Sequence, residues 1–463
     1  MRLELDGKQA LVLGLGMTGL SMARWLARHG ARVRVADTRA TPPGAAQLAV
    51  ELPEVRVHAG PFSDALFRDA DLVALSPGIA LSEPPIDAAV RRGVPVAGDI
   101  ELFAQALPHI GSTKVVAITG SNGKSTVTEM AGAMCRAAGL RTVVAGNIGL
   151  PVLDILLQVE ADAKRGEPIP EAFVLELSSF QLETTHSLDA HVAACLNLSE
   201  DHLDRYVGME AYARAKARIF HGTGIQVLNR QDAWTTAMAM PGRRIYTFGL
   251  DTPANEREWG LLGADGESWM AQGDHKLMAV SRLRVAGLHN AANALAALAL
   301  MRAIDLPYQP LLQALAQFEG LPHRVQKVAE VRGITFFDDS KGTNVGATVA
   351  ALNGLSQKVV LIAGGDGKGQ DFSPLRGPVA NRARAVILIG RDRERIAQAV
   401  ADSGVPLLRA QDMEEAVRAS FSAAREGDAV MLSPACASFD MFRNYEHRAQ
   451  VFVDAVKRIA EHA

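Results

Sequence analysis

The segment VVAITGSNGKSTVTEM, residues 115–130, carries side chains that could bind the phosphates of a nucleotide. It nearly matches the pattern G-x-x-x-x-G-K-[ST], but Ile118 stands where that pattern has its first glycine. A strand, a glycine turn and a helix in this order would point backbone N–H groups at a phosphate. In the shorter pattern G-x-x-G-K-[ST], Lys124 would add a positive charge and the next hydroxyls would reach Mg²⁺. An ordinary strand-to-helix turn with a capping serine is the alternative interpretation.

Acidic residues end two later apolar runs. FVLELSSFQLE ends its strand with Glu176, and CLNLSEDHLDRY ends another with Glu200, Asp201, His202 and Asp204. A carboxylate at the end of a buried strand costs free energy unless it binds a cation. Mg²⁺ prefers oxygen ligands, so Glu176 together with Ser125 predicts a magnesium site. His202 is a less usual magnesium ligand, and a hydrogen-bonding loop histidine is the alternative for it.

A second glycine turn lies near the start of the chain. GLGMTG, residues 14–19, follows the strand QALVL, and Asp37 closes the next strand. Taken alone, this pattern suggests NAD or FAD, with the acid on a ribose hydroxyl. Arg39 could add a planar, charge-assisted contact that a nicotinamide site would not require. A solvated loop residue is the alternative for Arg39.

Strand- and helix-length segments alternate around these motifs. The first hundred residues contain the strands QALVLGLG, RVRVAD, DLVALSPG and VPVAG, and the helix TGLSMARWLARHG, which Gly30 closes. A second series runs from TKVVAITG through RTVVAGN, AFVLELSS and HVAACLNLS to the Ala-rich helix HNAANALAALALMRAI. After FEGLPHRVQKV, which reads as a linker, a third series contains GITFFDDS, KVVLIAGG, RAVILIG and AVMLSPA. This alternation predicts parallel sheets with ligands at the carboxyl ends of the strands.

The predicted fold is therefore α/β with three domains, as the length of 463 residues allows. We expect a Rossmann-like N-terminal domain over residues 1–98 and a central parallel-sheet domain of the P-loop ATPase type over 99–320. A Rossmann-like C-terminal domain should occupy 321–463. The charged, Pro-containing segment EADAKRGEPIPEA, residues 160–172, predicts an exposed loop.

Composition excludes several classes of function. The net charge of −3 provides no excess of positive charge that would favour binding to nucleic acid or to an anionic membrane. The three cysteines are far apart and contain no CxxC pair, which is typical of a reducing compartment. The first residues lack the pattern of a signal peptide, and no apolar run approaches the roughly 18 residues of a membrane span. We expect a cytoplasmic protein with no nucleic-acid or membrane partner.

The motifs resemble, in their order, those of the Mur ligase family. They are TGSNGKST, GNIGLP, LELSSFQLE, NLSEDHLDRY, GLHNAANALAA, LPHR, DDSKGTN and SPACASFD, and they extend over essentially the whole chain. GSNGKST alone also occurs in folylpolyglutamate synthases. LSSFQLETT, ADTRATPPG, LSPGI and SPACASFDMF are more specific, and they resemble the branch that adds D-glutamate.

The resemblance implies an ATP-dependent amide-forming ligase of peptidoglycan precursor synthesis and cell wall biogenesis. Its expected substrates are UDP-N-acetylmuramoyl-L-alanine, D-glutamate and ATP. The reaction would pass through an acyl phosphate and release ADP and phosphate. Two Mg²⁺ ions and a monomeric protein are also expected.

The resemblance also implies roles for individual residues. Contacts to the UDP substrate are expected from Thr18, Asp37, Thr38, Arg39, Ser76 and Gly78. Contacts to ATP are expected from Gly120, Ser121, Asn122, Gly123, Lys124, Ser125, Thr126, Asn290, Asn293, Arg324 and Asp339. Further substrate contacts are expected from Asn147, Lys341, Thr343, Lys368, Ser438 and Tyr445. The implied metal ligands are Ser125, Glu176, His202 and Lys216, and the implied catalytic residues are Lys124, His202, Lys216 and Arg324.

Lys216 is an unexpected metal ligand, because an ammonium group repels Mg²⁺ and its ordinary pKa is about 10.4. In the resembled family this lysine is carbamoylated by CO₂, which makes it carboxylate-like; a solvated helix lysine is the alternative. The sequence departs from the family pattern at Tyr445, where phenylalanine is usual, and at Gly342, where alanine is usual. The segment 160–172 is also longer than the family pattern.

Three other functions compete with this interpretation. Another ligase of the family would share the ATP motifs but should lack the DTR and SPACASFD segments. An NAD-dependent oxidoreductase would explain GLGMTG but not GSNGKST or SEDH. A non-enzymatic nucleotide switch would explain the phosphate loop alone.

Overall fold

Three β-sheets follow one another along the chain, which confirms the predicted α/β class. The computed structural model describes residues 4–264, 266–285 and 287–462. Each sheet is built mainly from parallel strands whose aliphatic side chains are buried on both faces, as crossover helices require.

The first sheet is fully parallel, with the strand order β3-β2-β1-β4-β5. Its elements are β1 (Gln9–Leu13), α1 (Met17–Arg28), β2 (Arg32–Asp37), α2 (Ala45–Glu51), β3 (Arg56–Ala59), β4 (Leu72–Leu75), α3 (Pro84–Arg91) and β5 (Val96–Ala97). Leu13 pairs with Ala36 on one side and with Leu75 on the other. The residues that follow these three strands therefore meet at one edge of the sheet.

The second sheet has nine strands, in the order β14-β13-β12-β11-β10-β9-β6-β8-β7. Its elements are α4 (Asp99–Ala106), β6 (Lys114–Thr119), α5 (Lys124–Ala137), β7 (Thr142–Gly146), α6 (Val152–Lys164), β8 (Ala172–Glu176), α7 (Ser179–Glu183), β9 (Val192–Cys195), α8 (Gly208–Ala217), β10 (Ile225–Asn229), α9 (Ala233–Thr236), β11 (Ile245–Phe248), β12 (Glu258–Ala264), β13 (Glu267–Gln272), β14 (His275–Ala279), α10 (Leu288–Ala303) and α11 (Tyr308–Gln317). Ile118 pairs with Glu176, and Thr119 pairs with Cys195. The turn after β6 thus lies between the two strand ends that carry the predicted acidic residues.

The third sheet has the order β15-β16-β20-β17-β18-β19 and is parallel except for β15. Its elements are β15 (Gln326–Val331), β16 (Ile334–Asp338), α12 (Val345–Gly354), β17 (Val359–Gly364), α13 (Arg376–Arg382), β18 (Ala383–Ile389), α14 (Arg393–Ala399), β19 (Leu407–Arg409), α15 (Met413–Ala423), β20 (Ala429–Leu432) and α16 (Tyr445–His462). Asp338 and Ile362 both pair with Leu432, so the loops after these strands lie side by side.

Helix α10 shows why the Ala-rich segment forms a packing element. Residues 294–301 are completely buried, and α10 and α11 both pack against α5. Alanine combines the highest helix propensity with a small side chain, so the backbones can approach closely. This packing fixes α5, the helix that follows the phosphate loop.

Two expectations about connecting segments are wrong. Residues 160–164 continue α6, because Val159 extends the buried face begun by Val152 and Leu156. The loop occupies only residues 165–171, and residues 163–168 are exposed. The end of the expected linker 318–328 is also structured: residues 326–328 begin β15, which pairs antiparallel with β16. The antiparallel extension β12–β14 was not predicted from the sequence.

The expected boundaries at 98 and 320 fall between β5 and α4 and between α11 and β15. No helix in the described ranges combines the length and the apolarity needed to cross a lipid bilayer.

Candidate active site

The turn between β6 and α5 has the geometry of a phosphate-binding loop. Gly123 begins α5 with φ of +83°, and a Cβ atom there would lie 2.5 Å from the Asn293 Oδ1 atom. Glycine is therefore required for both backbone and packing reasons. No side chain caps α5, so the interpretation as a turn with a capping serine is wrong. The uncapped N–H groups and the helix dipole favour an anion at this position.

Lys124 points back over this loop. Its ammonium group donates to the carbonyl oxygens of Gly120 and Ser121, both at 2.9 Å. Burial lowers the pKa of Lys124, and the negative charge of Glu176 opposes this effect. The hydrogen bonds of Lys124 thus hold its amino group directly over the loop that would bind phosphate.

The larger of the two cavities that border the phosphate loop lies between the first and second sheets and has a volume of 730 Å³. Both glycine turns border it, since Gly14 and Lys124 lie in its wall. The predicted site residues that line it are Thr18, Asp37, Thr38, Arg39, Ser76, Gly78, Lys124, Asn147, His202 and Lys216. The structure therefore brings together residues from two distant parts of the sequence.

Asp37 orients Arg39 at the mouth of this cavity. The guanidinium donates to both carboxylate oxygens, at 2.8 and 2.6 Å, and the Leu15 N–H donates to Oδ2 at 2.7 Å. The hydrogen bond from Arg39 is the main reason why the pKa of Asp37 falls to about 2. A planar guanidinium fixed in this way can bind a carbonyl or phosphate oxygen.

Glu176 provides the observation that favours a bound cation. Its side chain is 2% exposed, and Oε1 accepts a hydrogen bond from the Asn147 amide at 3.0 Å. Oε2 is buried without a hydrogen-bond partner. A buried carboxylate oxygen that lacks a partner is expensive unless a cation neutralises it.

Within the described ranges, only Glu256, Asp274 and His275 bring three metal-type ligand atoms close to one another, and all three residues are exposed. Glu176 and His202 do not form such a cluster with a third residue. The unpartnered oxygen of Glu176 fits a hard cation, and water or substrate oxygens can supply further ligands.

His202 lies on the strained turn after β9, with φ of +57°. Its ring packs edge-on against Phe180 at 4.6 Å between ring centroids, and Nε2 lies 3.6 Å from the Asp201 carboxylate. Burial lowers the pKa of His202 to about 4, so the imidazole is neutral at pH 7. A neutral imidazole retains a lone pair for a metal or a proton.

Lys216 is 1% exposed, so its interpretation as a solvated helix lysine is wrong. It donates to the Gly120 carbonyl at 2.8 Å and to the Thr119 hydroxyl at 3.3 Å. Burial, followed by repulsion from Lys124, lowers its pKa to about 7. As an ammonium it cannot ligate a cation, whereas the neutral amine is the form that reacts with CO₂.

A second cavity, of 310 Å³, lies between the second and third sheets on the other side of the phosphate loop. The predicted residues that line it are Asn122, Gly123, Thr126, Asn290, Asn293, Arg324 and Asp339. The Asn293 amide donates to the Asn290 carbonyl oxygen at 3.2 Å, which places both on one face of α10. Phe248 and His289 also line this cavity and were not predicted from the sequence.

Residues of the third sheet contact the phosphate loop and the turn after β9. Arg324 donates to the Ser125 hydroxyl at 3.1 Å. Lys368 forms an ion pair with Asp201 at 2.5 Å, and the Asn344 amide donates to the same carboxylate at 3.3 Å. Asp201 is thus a buried junction between the two sheets, a role that was not predicted from the sequence.

Nine predicted residues line neither cavity: Gly120, Ser121, Ser125, Glu176, Lys341, Thr343, Lys368, Ser438 and Tyr445. The Lys341 ammonium lies 3.7 Å from the centroid of the Tyr445 ring.

Asp339, which does line the second cavity, accepts hydrogen bonds from the Ser433 hydroxyl and the Val325 N–H. Burial raises the pKa of Asp339 to about 7.

Asp99 and Gln181 line the larger cavity but were not assigned from the sequence. Asp99 Oδ2 accepts a hydrogen bond from the Gln181 amide at 3.0 Å, while Oδ1 is buried without a partner. Burial raises the pKa of Asp99 to about 6. A signal for Asp99 was present in the sequence, because GDIELF places acids in the first turn of a helix that also carries large apolar side chains.

Comparisons with known proteins identify the family. Residues 8–98 match the Mur ligase MurD-like N-terminal domain, 118–301 the Mur ligase middle domain, and 323–436 the Mur ligase glutamate ligase domain. The UDP-N-acetylmuramoylalanine–D-glutamate ligase of Methylobacillus flagellatus is 59% identical over 454 residues, covering 98% of both chains. The protein of the same name from Thiobacillus denitrificans is 59% identical and covers 99% of this chain and 98% of its own.

Solved structures support the fold. The UDP-N-acetylmuramate–alanine ligase of Thermotoga maritima superposes with a TM-score of 0.61 at 19% identity, over 97% of this chain and 99% of its own. MurF from Acinetobacter baumannii gives a TM-score of 0.60 at 18% identity, over 97% of this chain and 91% of its own. The chain belongs to the Mur ligase family.

Proposed function

We propose that this member of the Mur ligase family joins D-glutamate to UDP-N-acetylmuramoyl-L-alanine with hydrolysis of ATP to ADP and phosphate. The names of the relatives that are 59% identical support this substrate pair. The observation that carries the proposal is the position of the phosphate loop. Lys124 lies in the wall of the first cavity, and Asn122, Gly123 and Thr126 lie in the wall of the second.

A loop shared by two cavities suits the transfer of a phosphoryl group from one to the other. ATP would lie in the second cavity, with its adenine near Asn290 and Asn293 and its phosphates on the N-terminus of α5. The UDP-linked substrate would lie in the first cavity, with its nucleotide end at the GLGMTG turn and Arg39. Its alanyl carboxylate would then reach Lys124 and Asn147.

In the first step, a carboxylate oxygen attacks the γ-phosphorus and the bond to the ADP oxygen breaks. The product is an acyl phosphate, whose phosphate is a good leaving group where the original oxygen was not. The protein mainly positions the reactants and neutralises charge. Lys124 and Arg324 are the cations for this role, because Arg324 already contacts Ser125 on the phosphate loop.

In the second step, the amine of D-glutamate attacks the acyl carbon, and the tetrahedral intermediate expels phosphate as the amine loses a proton. Lys368 is proposed to bind the amino acid, and its ion pair with Asp201, a residue in the wall of the first cavity, supports this role. Lys341, Thr343, Ser438 and Tyr445 are proposed to complete the D-glutamate site. An ammonium and hydroxyl groups suit a substrate with two carboxylates.

Glu176 and His202 would hold magnesium, with Ser125 as a further ligand. Bound Mg²⁺ supplies charge neutralisation at the phosphate oxygens. Carbamoylation of Lys216 is part of the proposal. Without it, a protonated Lys216 would place a further positive charge beside Lys124 in the buried region around the phosphate loop. The carbamate would bear a negative charge facing the same loop.

The proposal is tested by phosphate release from ATP with Mg²⁺, bicarbonate and UDP-N-acetylmuramoyl-L-alanine, across a panel of D- and L-amino acids. Turnover with D-glutamate alone is the expected result. Turnover with another amino acid would overturn the specificity, and absence of turnover across the panel would overturn the function. Lys124→Ala is the matched control and should form no ADP.

Other features of the chain remain parts of the same proposal. We propose three domains, over residues 1–98, 99–320 and 321–463, and a monomeric protein. A cytoplasmic location is proposed because ATP and a UDP-linked precursor are its expected substrates.

A further inference from the structure

Arg205 connects the second sheet to the loop that follows β4 in the first sheet. Its Nη1 donates to the Pro77 carbonyl at 2.9 Å, and Nη2 donates to the Ile79 carbonyl at 3.2 Å. From the other side, the Glu183 carboxylate pairs with Nη2 at 2.5 Å. The arginine side chain is only 12% exposed. Its guanidinium is therefore fixed between two parts of the protein.

The loop held by Arg205 forms part of the wall of the first cavity, which residues 76–79 line. The Ser76 hydroxyl donates to the Gly14 carbonyl at 3.1 Å, within the GLGMTG turn. The contacts of Arg205 therefore extend, through this loop, to the proposed nucleotide end of the cavity.

Arg205 also supports the opposite end of the same cavity. Its backbone N–H donates to the His202 carbonyl at 2.9 Å. Its guanidinium carbon lies 4.1 Å from the centroid of the Phe180 ring, and that ring packs against the imidazole of His202. Phe180 and His202 both line the cavity, whereas Arg205 lies behind its wall.

We propose that Arg205 is a positioning residue that fixes the distance between the nucleotide end and the acyl end of the first cavity. This inference rests on the proposed function, in which one substrate spans both ends. A ligand bound at two points gains affinity only when the two sites are held at the matching separation. A displacement of about 1 Å between reacting groups can cost about 100-fold in rate.

The chemistry of the contact requires arginine. One planar group donates to two carbonyls and a carboxylate while its face stacks on Phe180. Lysine offers a point charge without a planar fork, so Arg205→Lys should not restore the connection.

The first experiment compares two ligands in the variants Arg205→Met and Arg205→Lys by isothermal titration calorimetry. UDP alone contacts only the nucleotide end and should bind as in the wild type, within about 2-fold. UDP-N-acetylmuramoyl-L-alanine spans both ends and should bind about 10- to 100-fold more weakly, as expected for lost positioning. KM for ATP should not change, because the second cavity has no contact with this loop.

Arg243→Met is the matched control. Arg243 donates to the Gly224 and Phe220 carbonyls at 3.0 and 3.1 Å, but these belong to one loop of the second sheet and line neither cavity. It should leave both affinities unchanged. An equal loss for UDP and for the full substrate in Arg205→Met would overturn the proposal, since Arg205 would then shape the nucleotide end only. Unchanged affinity for both ligands would also overturn it.

A second measurement is independent of the substrate. The three native cysteines are buried, so spin labels can be placed at Val50→Cys on α2 and Lys276→Cys on β14, both exposed. Arg205→Met should broaden the distance distribution from double electron–electron resonance, and Arg243→Met should not. An unchanged distribution in Arg205→Met overturns the inference. Absence of turnover in the wild type would instead overturn the proposed function. The distance measurement would then still test whether Arg205 holds the first and second sheets in position.

Discussion

Asp99→Asn should stabilise the protein in a way that depends on pH. The Asp99 side chain is 2% exposed, and burial raises its pKa from 3.8 to about 6. Above pH 6 the folded protein must therefore keep a buried charge that the unfolded chain keeps in water. Asparagine has nearly the same shape, can still accept the hydrogen bond from Gln181 and carries no charge.

The magnitude follows from the difference in pKa between the folded and unfolded states. At about 1.36 kcal/mol for each pKa unit, ionised Asp99 destabilises the folded state by about 3 kcal/mol. Because the folded pKa is raised, this penalty is complete above pH 6, decreases as the pH falls from 6 to 3.8, and is absent below 3.8. Between pH 4.5 and 7.5 it should change by about 2 kcal/mol.

The assay is equilibrium urea unfolding of wild type and variant over this pH range. The difference between the two proteins isolates Asp99, because the other titrating groups are common to both. The new amide can add a constant offset, since its N–H₂ replaces an oxygen without a partner, but it adds no pH dependence. Asp64→Asn makes the same exchange at an exposed carboxylate and is the control for effects that do not depend on burial. A flat difference for Asp99→Asn would refute the reasoning that burial dominates this site.

Three further predictions concern turnover with the proposed substrates. Glu176→Gln should lower kcat about 100-fold and raise the Mg²⁺ concentration for half-maximal rate about 10-fold. The reason is that the buried carboxylate oxygen without a partner loses its charge. An unchanged Mg²⁺ titration would contradict this prediction. Arg39→Met should raise KM for the UDP substrate about 10- to 100-fold, because it removes one charge-assisted contact, and should leave KM for ATP unchanged. Steady-state kinetics in which each substrate is varied in turn will check this prediction. Tyr445→Phe should change kcat/KM for D-glutamate less than about 3-fold, because the ring that faces Lys341 remains. Tyr445→Ala, which removes the ring, should lower kcat/KM about 10-fold. Equal losses in the two variants would contradict this prediction and assign the effect to the hydroxyl group.

The sequence allowed the sheets and the phosphate loop to be predicted because both depend on local patterns. Aliphatic runs that end in glycine or acidic residues mark the carboxyl ends of strands, and parallel pairing then brings Ile118 beside Glu176. The hairpin extension β12–β14 was not predictable, since its alternating strands contain glycine and polar residues and carry no motif. The last three residues of the expected linker, 326–328, became part of β15 for a similar reason: the sequence QKVAEV has no clear alternation, and only Val331 is buried.

The residues that support the site were harder to predict than the residues that line it. Lys216 lies in EAYARAKARIF, where nothing local shows that its side chain is completely covered. Arg205 follows the quoted SEDHLD segment, but its partners Pro77 and Ile79 lie more than a hundred residues earlier. Contacts between distant segments depend on how the sheets pack, and a single sequence does not reveal that packing.

The cluster of three lysines and Arg324 explains why the proposed site would favour anionic ligands. Lys124, Lys216 and Lys341 are all buried enough that desolvation is the main cause of their lowered pKa. They also repel one another, and Arg324 lowers the pKa of both Lys124 and Lys341. Binding a triphosphate replaces this repulsion by attraction in a region of low dielectric constant, where charge pairs interact strongly. Carbamoylation of Lys216 would act in the same direction, because it reverses the sign of one charge in the cluster while the packing of α8 stays the same.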